Sequence, residues 1–420
     1  MTVAKLTTSL SGAIILALKL IPWVVAAELP GHDDNPLAVD SSLTLELAVE
    51  LTLAAYPDAE ILAARKAEAE AWDKRGGSLL ANRPSIMLRY QTDRWGSDVN
   101  LTEYEAGITL PLWGWGGRSA VQNFGDALAG ESTAAEAALH WQVSGFVREL
   151  LWNIALADNE QRLATEARDT AARLLRLVER RHELGDVALA DVLLAQSSYL
   201  GSQTTLIDAD SALLDAERAY RSVTALDRRP EFVAEALSEI VEITADHPAL
   251  ALANAAVDSA EANVRRLEQT LNAGSSVQIG TRHERPAFGT ELDDSIGIVL
   301  NIPFGGSSHR NTQISDAARA AAAARSNRNR QVRGLTLSLH EAAHRLGVID
   351  ENLETAARRR VLAERHEAMG EMAYEKGEIE LMDLLRMQAT TIEARRQATR
   401  LEIEKKRQTA FYNQAVGAFQ

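Results

Sequence analysis

The chain has 420 residues, no cysteine, few aromatic side chains and a formal charge of −15. Without cysteine there are no disulfides, thiolate metal sites or lipidated cysteine, and so acidic a chain should not bind nucleic acid through its phosphates, which needs a basic patch. Abundant alanine and few rings suit long helices packed side by side, where small residues let backbones approach.

Residues 1–27 read as a secretory signal peptide: Lys5 in a charged start, apolar stretches over 13–18 and 20–25 separated by Lys19, and Val25-Ala26-Ala27 as a small-residue cleavage site before Glu28. Removing Lys5 and Lys19 takes the formal charge from −15 to −17. Residues 28–42 follow as a linker that contains His32-Asp33-Asp34-Asn35-Pro36. Beyond the signal no apolar run is long enough for a spanning helix, so any membrane passage by the mature chain must use strands.

From 43 to 227 the pattern gives one long unit. Tyr56-Pro57-Asp58 caps a charged, alanine-rich helix that reaches Gly76-Gly77. Two strands are predicted at about 84–94 and 102–112: Ile86, Leu88 and Tyr90 alternate with Met87, Arg89 and Gln91, and Tyr104, Ala106, Ile108 and Leu110 alternate with Glu103, Glu105, Gly107 and Thr109. Long helices are predicted at about 116–182 and 187–227, joined by Glu183-Leu184-Gly185-Asp186. A connector, 228–246, leads to a second unit over 247–420. It has an opening helix from His247-Pro248, strands at about 276–284 and 293–303, and helices at about 311–375 and 378–419 around Lys376-Gly377-Glu378.

The second unit repeats the first, in order and without a gap, 192 positions later. Pro111, Gly114 and Arg118 match Pro303, Gly306 and Arg310; Gly185, Asp191, Leu193 and Gln196 match Gly377, Asp383, Leu385 and Gln388. The strands carry one oily and one charged face, with Arg89, Glu103, Glu105 and Arg282 on the latter, and no other segment supplies a layer to cover them. Such strands suit a membrane barrel, yet four cannot close one, since about eight are needed. Several copies must therefore share a barrel.

The strand exit Leu110-Pro111-Leu112-Trp113-Gly114-Trp115-Gly116-Gly117-Arg118, its weaker copy Ile302-Pro303-Phe304-Gly305-Gly306 and the two turns running from glycine to an aspartate six residues on resemble the TolC family of outer-membrane efflux channels, in particular its CzcC-like, heavy-metal branch. The resemblance implies a mainly helical chain with a membrane β-barrel: a homotrimer of twelve pooled strands, embedded in outer-membrane lipid, above an α-helical periplasmic tunnel. It implies a periplasmic adaptor and an inner-membrane RND pump as partners, no cofactor and no enzymatic activity. The corner residues would be Pro111, Gly114, Gly116, Gly117, Arg118, Pro303, Gly305 and Gly306. The adaptor-contact tips would be Gly185, Asp186, Val187, Gly377, Glu378 and Ile379, with Val187 and Ile379 exposed. Asp383, Tyr374 and Asp191 would form the constriction, where three copies of Asp383 favour cations. Arg386 stands where a second acidic ring can occur, and Ile379 where drug-type channels carry a basic residue. The same architecture could serve organic drugs or a secreted protein instead of heavy-metal cations.

His340-Glu341-Ala342-Ala343-His344 is a literal HExxH, extended by Gly347 and Asp350, and would mark a secreted zinc protease if it sat on a helix facing a cleft. Its duplicate, Arg148-Glu149-Leu150-Leu151-Trp152, lacks both histidines, and the helical pattern continues past Gly347 to Arg365. No metal site is therefore expected there.

Overall fold

A computed structural model describes residues 36–418 except 232, 272 and 273; the signal segment and the first part of the linker lie outside these residues. The chain divides into residues 1–36 and Leu37–Gln420, and the second unit holds every element described below.

Two long helical hairpins dominate. α3 (Gly117–Glu183) turns through Gly185 into α4 (Leu189–Thr224), and α6 (Ser307–Glu375) turns through Gly377 into α7 (Leu381–Ala415). At 1.5 Å per residue, α3 and α6 are rods of roughly 100 Å. Both tips reverse on a glycine in the left-handed region, φ +84° at Gly185 and +74° at Gly377, a conformation in which a Cβ would be strained. Shorter helices, α2 (Ala59–Gly77) and α5 (Pro248–Thr270), pack near the starts of the rods, α2 on α3 and α5 on both α3 and α6. Where α2, α3 and α5 meet, Trp72 and Phe124 stack edge to face at 5.0 Å and the Arg266 guanidinium lies 4.7 Å from the Trp72 ring centre.

One four-stranded antiparallel sheet, in the order β2-β3-β5-β6, is formed by β2 (Ser85–Thr92), β3 (Thr102–Pro111), β5 (Ser276–Arg285) and β6 (Asp293–Asn301). It joins the strand pairs of both repeats through the β3–β5 ladder. Three elements were not legible in the sequence. α1 (Leu45–Ala54) is capped by the Thr44 hydroxyl, which accepts from the Leu47 N–H at 3.1 Å. β1 (Ala38–Asp40) and β4 (Arg228–Pro230) pair in parallel, so the expected linker and connector each hold a strand. This small layer closes a core of Leu37, Leu43, Val49, Val143, Val147, Ile154 and Tyr220 along the middle of α3.

The repeat is not gap-free at the corner. Hairpin tips and return helices keep the spacing of 192, but α3 starts after Gly116 (φ +73°) and α6 after Gly306 (φ +77°), two positions closer. Gly114 and Gly306, paired by sequence, therefore do different work: Gly306 caps its helix, whereas Gly114 precedes the cap and only its carbonyl accepts from the Gly117 N–H.

Candidate channel wall, corner and tip

The register sorts the sheet's side chains into two faces. Ile86, Ile108, Ile279 and Ile298 form one row across all four strands, Leu88, Ala106, Thr281 and Ile296 the next, and Tyr90, Tyr104, His283 and Asp294 the last. This face is uncovered among the described residues; Leu88 is 78% exposed and Ile296 80%. On the opposite face Arg89, Glu105, Arg282 and Ser295 share a row, and Glu103 sits between the two arginines, 2.9 Å from Arg282 Nε. Here the side chains crowd together, and Glu103 is only 3% exposed. The polar face also holds a concavity lined by Met87, Glu105, Gln278, Gly280, Arg282 and Gly297. An apolar convex face with aromatics at its end and a charged concave face is the pattern of a barrel wall between lipid and water.

The first corner is built by hydrogen bonds to backbone. Arg118 donates from Nε to the Gly76 carbonyl and from Nη2 to the Gly77 carbonyl, both at 3.0 Å, and Trp113 Nε1 donates to the Ser78 carbonyl at 3.0 Å. These contacts tie the start of α3 to the end of α2. Pro111 ends β3, while Pro303 and Gly305 lie in the exposed stretch between β6 and α6, Gly305 with φ +81°. Trp115 and Phe304 project almost fully exposed from the two corners, at the end of the sheet remote from the tyrosine row.

At the far end of the rods the two tips pack as one body. Leu174, Val178 and Ala195 from the first hairpin meet Tyr374, Leu381 and Leu384 from the second. Arg181 crosses between them, donating to the Tyr374 carbonyl at 3.1 Å with its guanidinium 5.1 Å from the ring centre. Tyr374 is buried and its hydroxyl makes no hydrogen bond among the described residues. Burial raises its pKa above the usual phenol value; Arg181 opposes this and Asp191 adds to it. Asp383 lies in the first turn of α7, half exposed, with Arg386 Nη1 3.6 Å away. Arg386 thus partly offsets the charge that the sequence assigned to Asp383.

Val187 and Ile379 are not the exposed groups expected. Both are half-buried and pack against the tip core, because a chain reversing on glycine folds the next apolar side chain back over its own helices. Asp186, Glu378 and the two glycines are the exposed tip residues.

Midway along α3 lies a polar joint that sequence reasoning missed. Arg148 pairs with Glu235 of the connector and donates to Gln414 Oε1, while the Asn413 amide donates to Glu235 Oε2 at 3.1 Å and to the Ala236 carbonyl at 2.8 Å. Gln414 also exchanges hydrogen bonds with Trp141. The only hint in the sequence was an arginine on an apolar helix face.

Arg148 is the repeat mate of His340, and Trp152 of His344. Arg148 and Trp152 are buried, whereas His340, Glu341 and His344 are exposed on α6. α6 runs unbroken through Gly347, and Asp350 is engaged by Lys405 at 2.8 Å. Among the described residues no three metal-ligating side chains converge. Arg325, which opens a basic stretch of α6 over 325–333, pairs with Glu261 at 2.8 Å.

The fold and its two-faced sheet are similar to those of several solved outer-membrane proteins. VceC, an outer membrane protein from Vibrio cholerae, is similar with a TM-score of 0.72 and 13% identity, over 89% of this chain and 96% of that one. The CmeC outer membrane channel from Campylobacter jejuni is similar with a TM-score of 0.69 and 14% identity, over 89% and 85%. CusC is similar with a TM-score of 0.70 and 12% identity, over 94% and 96%. Within the chain, residues 58–225 match the model of the Outer membrane efflux protein family, which covers most of the first repeat. No curated protein matches the sequence.

Proposed function

We propose that the chain is the outer-membrane channel of a tripartite efflux system, a passive conduit for substrate handed over by a periplasmic adaptor and an inner-membrane RND pump. The observation that carries this is the sheet. Among the described residues, one chain presents a four-stranded wall with an uncovered apolar face and two unpaired edges, β2 and β6. An exposed apolar face of this size needs lipid, and open edges need strands. Three copies joined edge to edge, β6 of one to β2 of the next, make twelve strands and satisfy both. The rods of the three copies then enclose a tunnel below the barrel, and the packed tips form its narrow end, with Asp383 and Tyr374 from each copy.

Heavy-metal cations are the proposed cargo, supported by the strand-exit motif of the CzcC-like branch and by the acidic first turns of α4 and α7 at Asp191 and Asp383. Adaptor contact is assigned to the tips, through exposed Asp186 and Glu378 rather than through Val187 and Ile379, which hold the tip together.

The test begins with the purified mature protein. It should extract only into detergent, sediment as a trimer and open ion-conducting pores in planar bilayers; a water-soluble monomer would refute the channel. Deleting the gene should lower tolerance to zinc, cobalt, cadmium or copper, and a change confined to a drug panel would replace metal by organic cargo. Asp186→Arg with Glu378→Arg should abolish adaptor pull-down while pores still form.

A further inference from the structure

The concave face of the sheet carries a graded set of rows along the barrel axis. Outermost, Gln91, Glu103, Glu284 and Asp293 stand in register across the four strands. Next come Arg89, Glu105, Arg282 and Ser295, and then Met87 with three glycines, Gly107, Gly280 and Gly297. The upper two rows interlock. Arg282 reaches Glu103 and Glu284 at 2.9 Å and Glu105 at 3.7 Å, while Arg89 lies 3.9 Å from Glu103 and 3.6 Å from Glu105. Below them the wall is bare. A Cβ on Gly280 would sit 2.6 Å from the Ala106 carbonyl oxygen, so the strands close up where no side chain fits between them. Met87, Glu105, Gln278, Gly280, Arg282 and Gly297 line a concavity there.

We propose that these charged rows are a second charge filter, placed at the exit end of the pore and independent of Asp383 at the other end. The inference rests on the channel assignment above. On this face of the strands, two arginines oppose four carboxylates, Glu103, Glu105, Glu284 and Asp293. The two arginines offset two of the four carboxylates, Arg282 held by Glu103 and Glu284 and Arg89 nearest Glu105, and the remaining excess of two negative charges sets the sign toward the lumen. Three copies repeat that excess around one axis, and a confined ring of like charge concentrates counter-ions. The glycine row keeps the lumen wide just inside the ring, so selection there acts on charge rather than on size.

Neighbouring aspartates supply an internal control. Asp293 pairs in register with Glu284 on the concave face, whereas Asp294 belongs to the convex face, 2.5 Å from His283 Nδ1. The experiment is the reversal potential of single pores of the full chain in a neutral-lipid bilayer under a KCl gradient at low salt, where screening is weak. Glu284→Gln with Asp293→Asn should lower the potassium-to-chloride permeability ratio about twofold or more. Arg89→Gln should raise it, and Asp294→Asn should leave it unchanged. Pores of the double variant that reverse at the wild-type potential, or an Asp294→Asn shift of equal size, would overturn the filter while leaving the channel intact. Absence of pores from the wild-type chain would instead refute the channel itself.

Discussion

Arg148 and Glu235 meet across 87 positions as a two-pronged pair, Nε to Oε1 at 2.8 Å and Nη2 to Oε2 at 2.9 Å, with both side chains buried. The pair fixes the connector between the repeats onto the middle of α3. Because the surroundings are dry, removing one member strands the other charge. Arg148→Met should destabilise the chain by about 3–5 kcal/mol, and Arg148→Met with Glu235→Leu should recover most of that. Urea unfolding followed by helical circular dichroism in detergent distinguishes the two variants. Equal loss in both would show that the joint works through Gln414 and Asn413 instead.

His247 caps α5 through Nδ1, which accepts the Ala249 N–H at 3.2 Å, and Trp141 covers its ring. Burial pushes its pKa below the usual histidine value, against backbone carbonyls that pull it up, Ala415 foremost. The folded chain therefore holds the neutral ring, and the unfolded chain takes up a proton first as pH falls. Stability from this group is complete above the unfolded value of about 6.5 and declines as pH drops through it toward the folded value. His247→Asn keeps a capping acceptor but cannot titrate. Melting temperatures at pH 7.5 and pH 5 should differ less in His247→Asn than in the wild type.

Gly377 and Gly185 turn with positive φ, while Gly201 lies inside α4 with open space around it. Alanine at either tip should cost about 1–2 kcal/mol through the strained left-handed backbone. Gly201→Ala should instead stabilise by about 0.5–1 kcal/mol, since helix interiors favour alanine. Thermal denaturation of the three single variants gives the signs directly, and a harmless Gly377→Ala would mean that the tip can reverse by another route.

Arg386 lies 3.6 Å from Asp383, and both side chains are at least half exposed. Arg386→Gln should therefore strengthen the field of Asp383 at the proposed constriction and raise cation selectivity, whereas Asp383→Ala should lower it. Single-channel recordings of the two variants should move apart from the wild type in opposite directions. An unchanged Asp383→Ala pore would place the narrowest cation-sensing point elsewhere.

Several elements were plain in the chain because local chemistry alone specifies them. Ile86, Leu88 and Tyr90 alternate strictly with polar neighbours, and Gly185 and Gly377 break two long helical patterns at the same spacing. Others depended on distant partners. β1 and β4 are three residues each and exist because they pair with one another, so neither has a pattern of its own. Arg148 and His340 hold equivalent sequence positions, yet Arg148 is buried against Glu235 of the connector and Gln414 of α7, whereas α7 packs on the Ala342 side of α6 and leaves His340 facing outward. Glu284 and Asp293 were equally silent, because single residues near strand ends gain meaning only when a register sets them side by side.

The sequence by itself determined the repeating units, the length of the rods and the two-faced strands, because hydrophobic period and glycine placement act over a few residues and need no knowledge of the rest of the chain. Tertiary structure alone decided which residues of the two repeats came to differ: which arginine is buried, which histidines point away, and which carboxylates share a row. Those outcomes depend on packing and strand register between segments far apart in sequence, where the free energy of a charge is set by its neighbours in space.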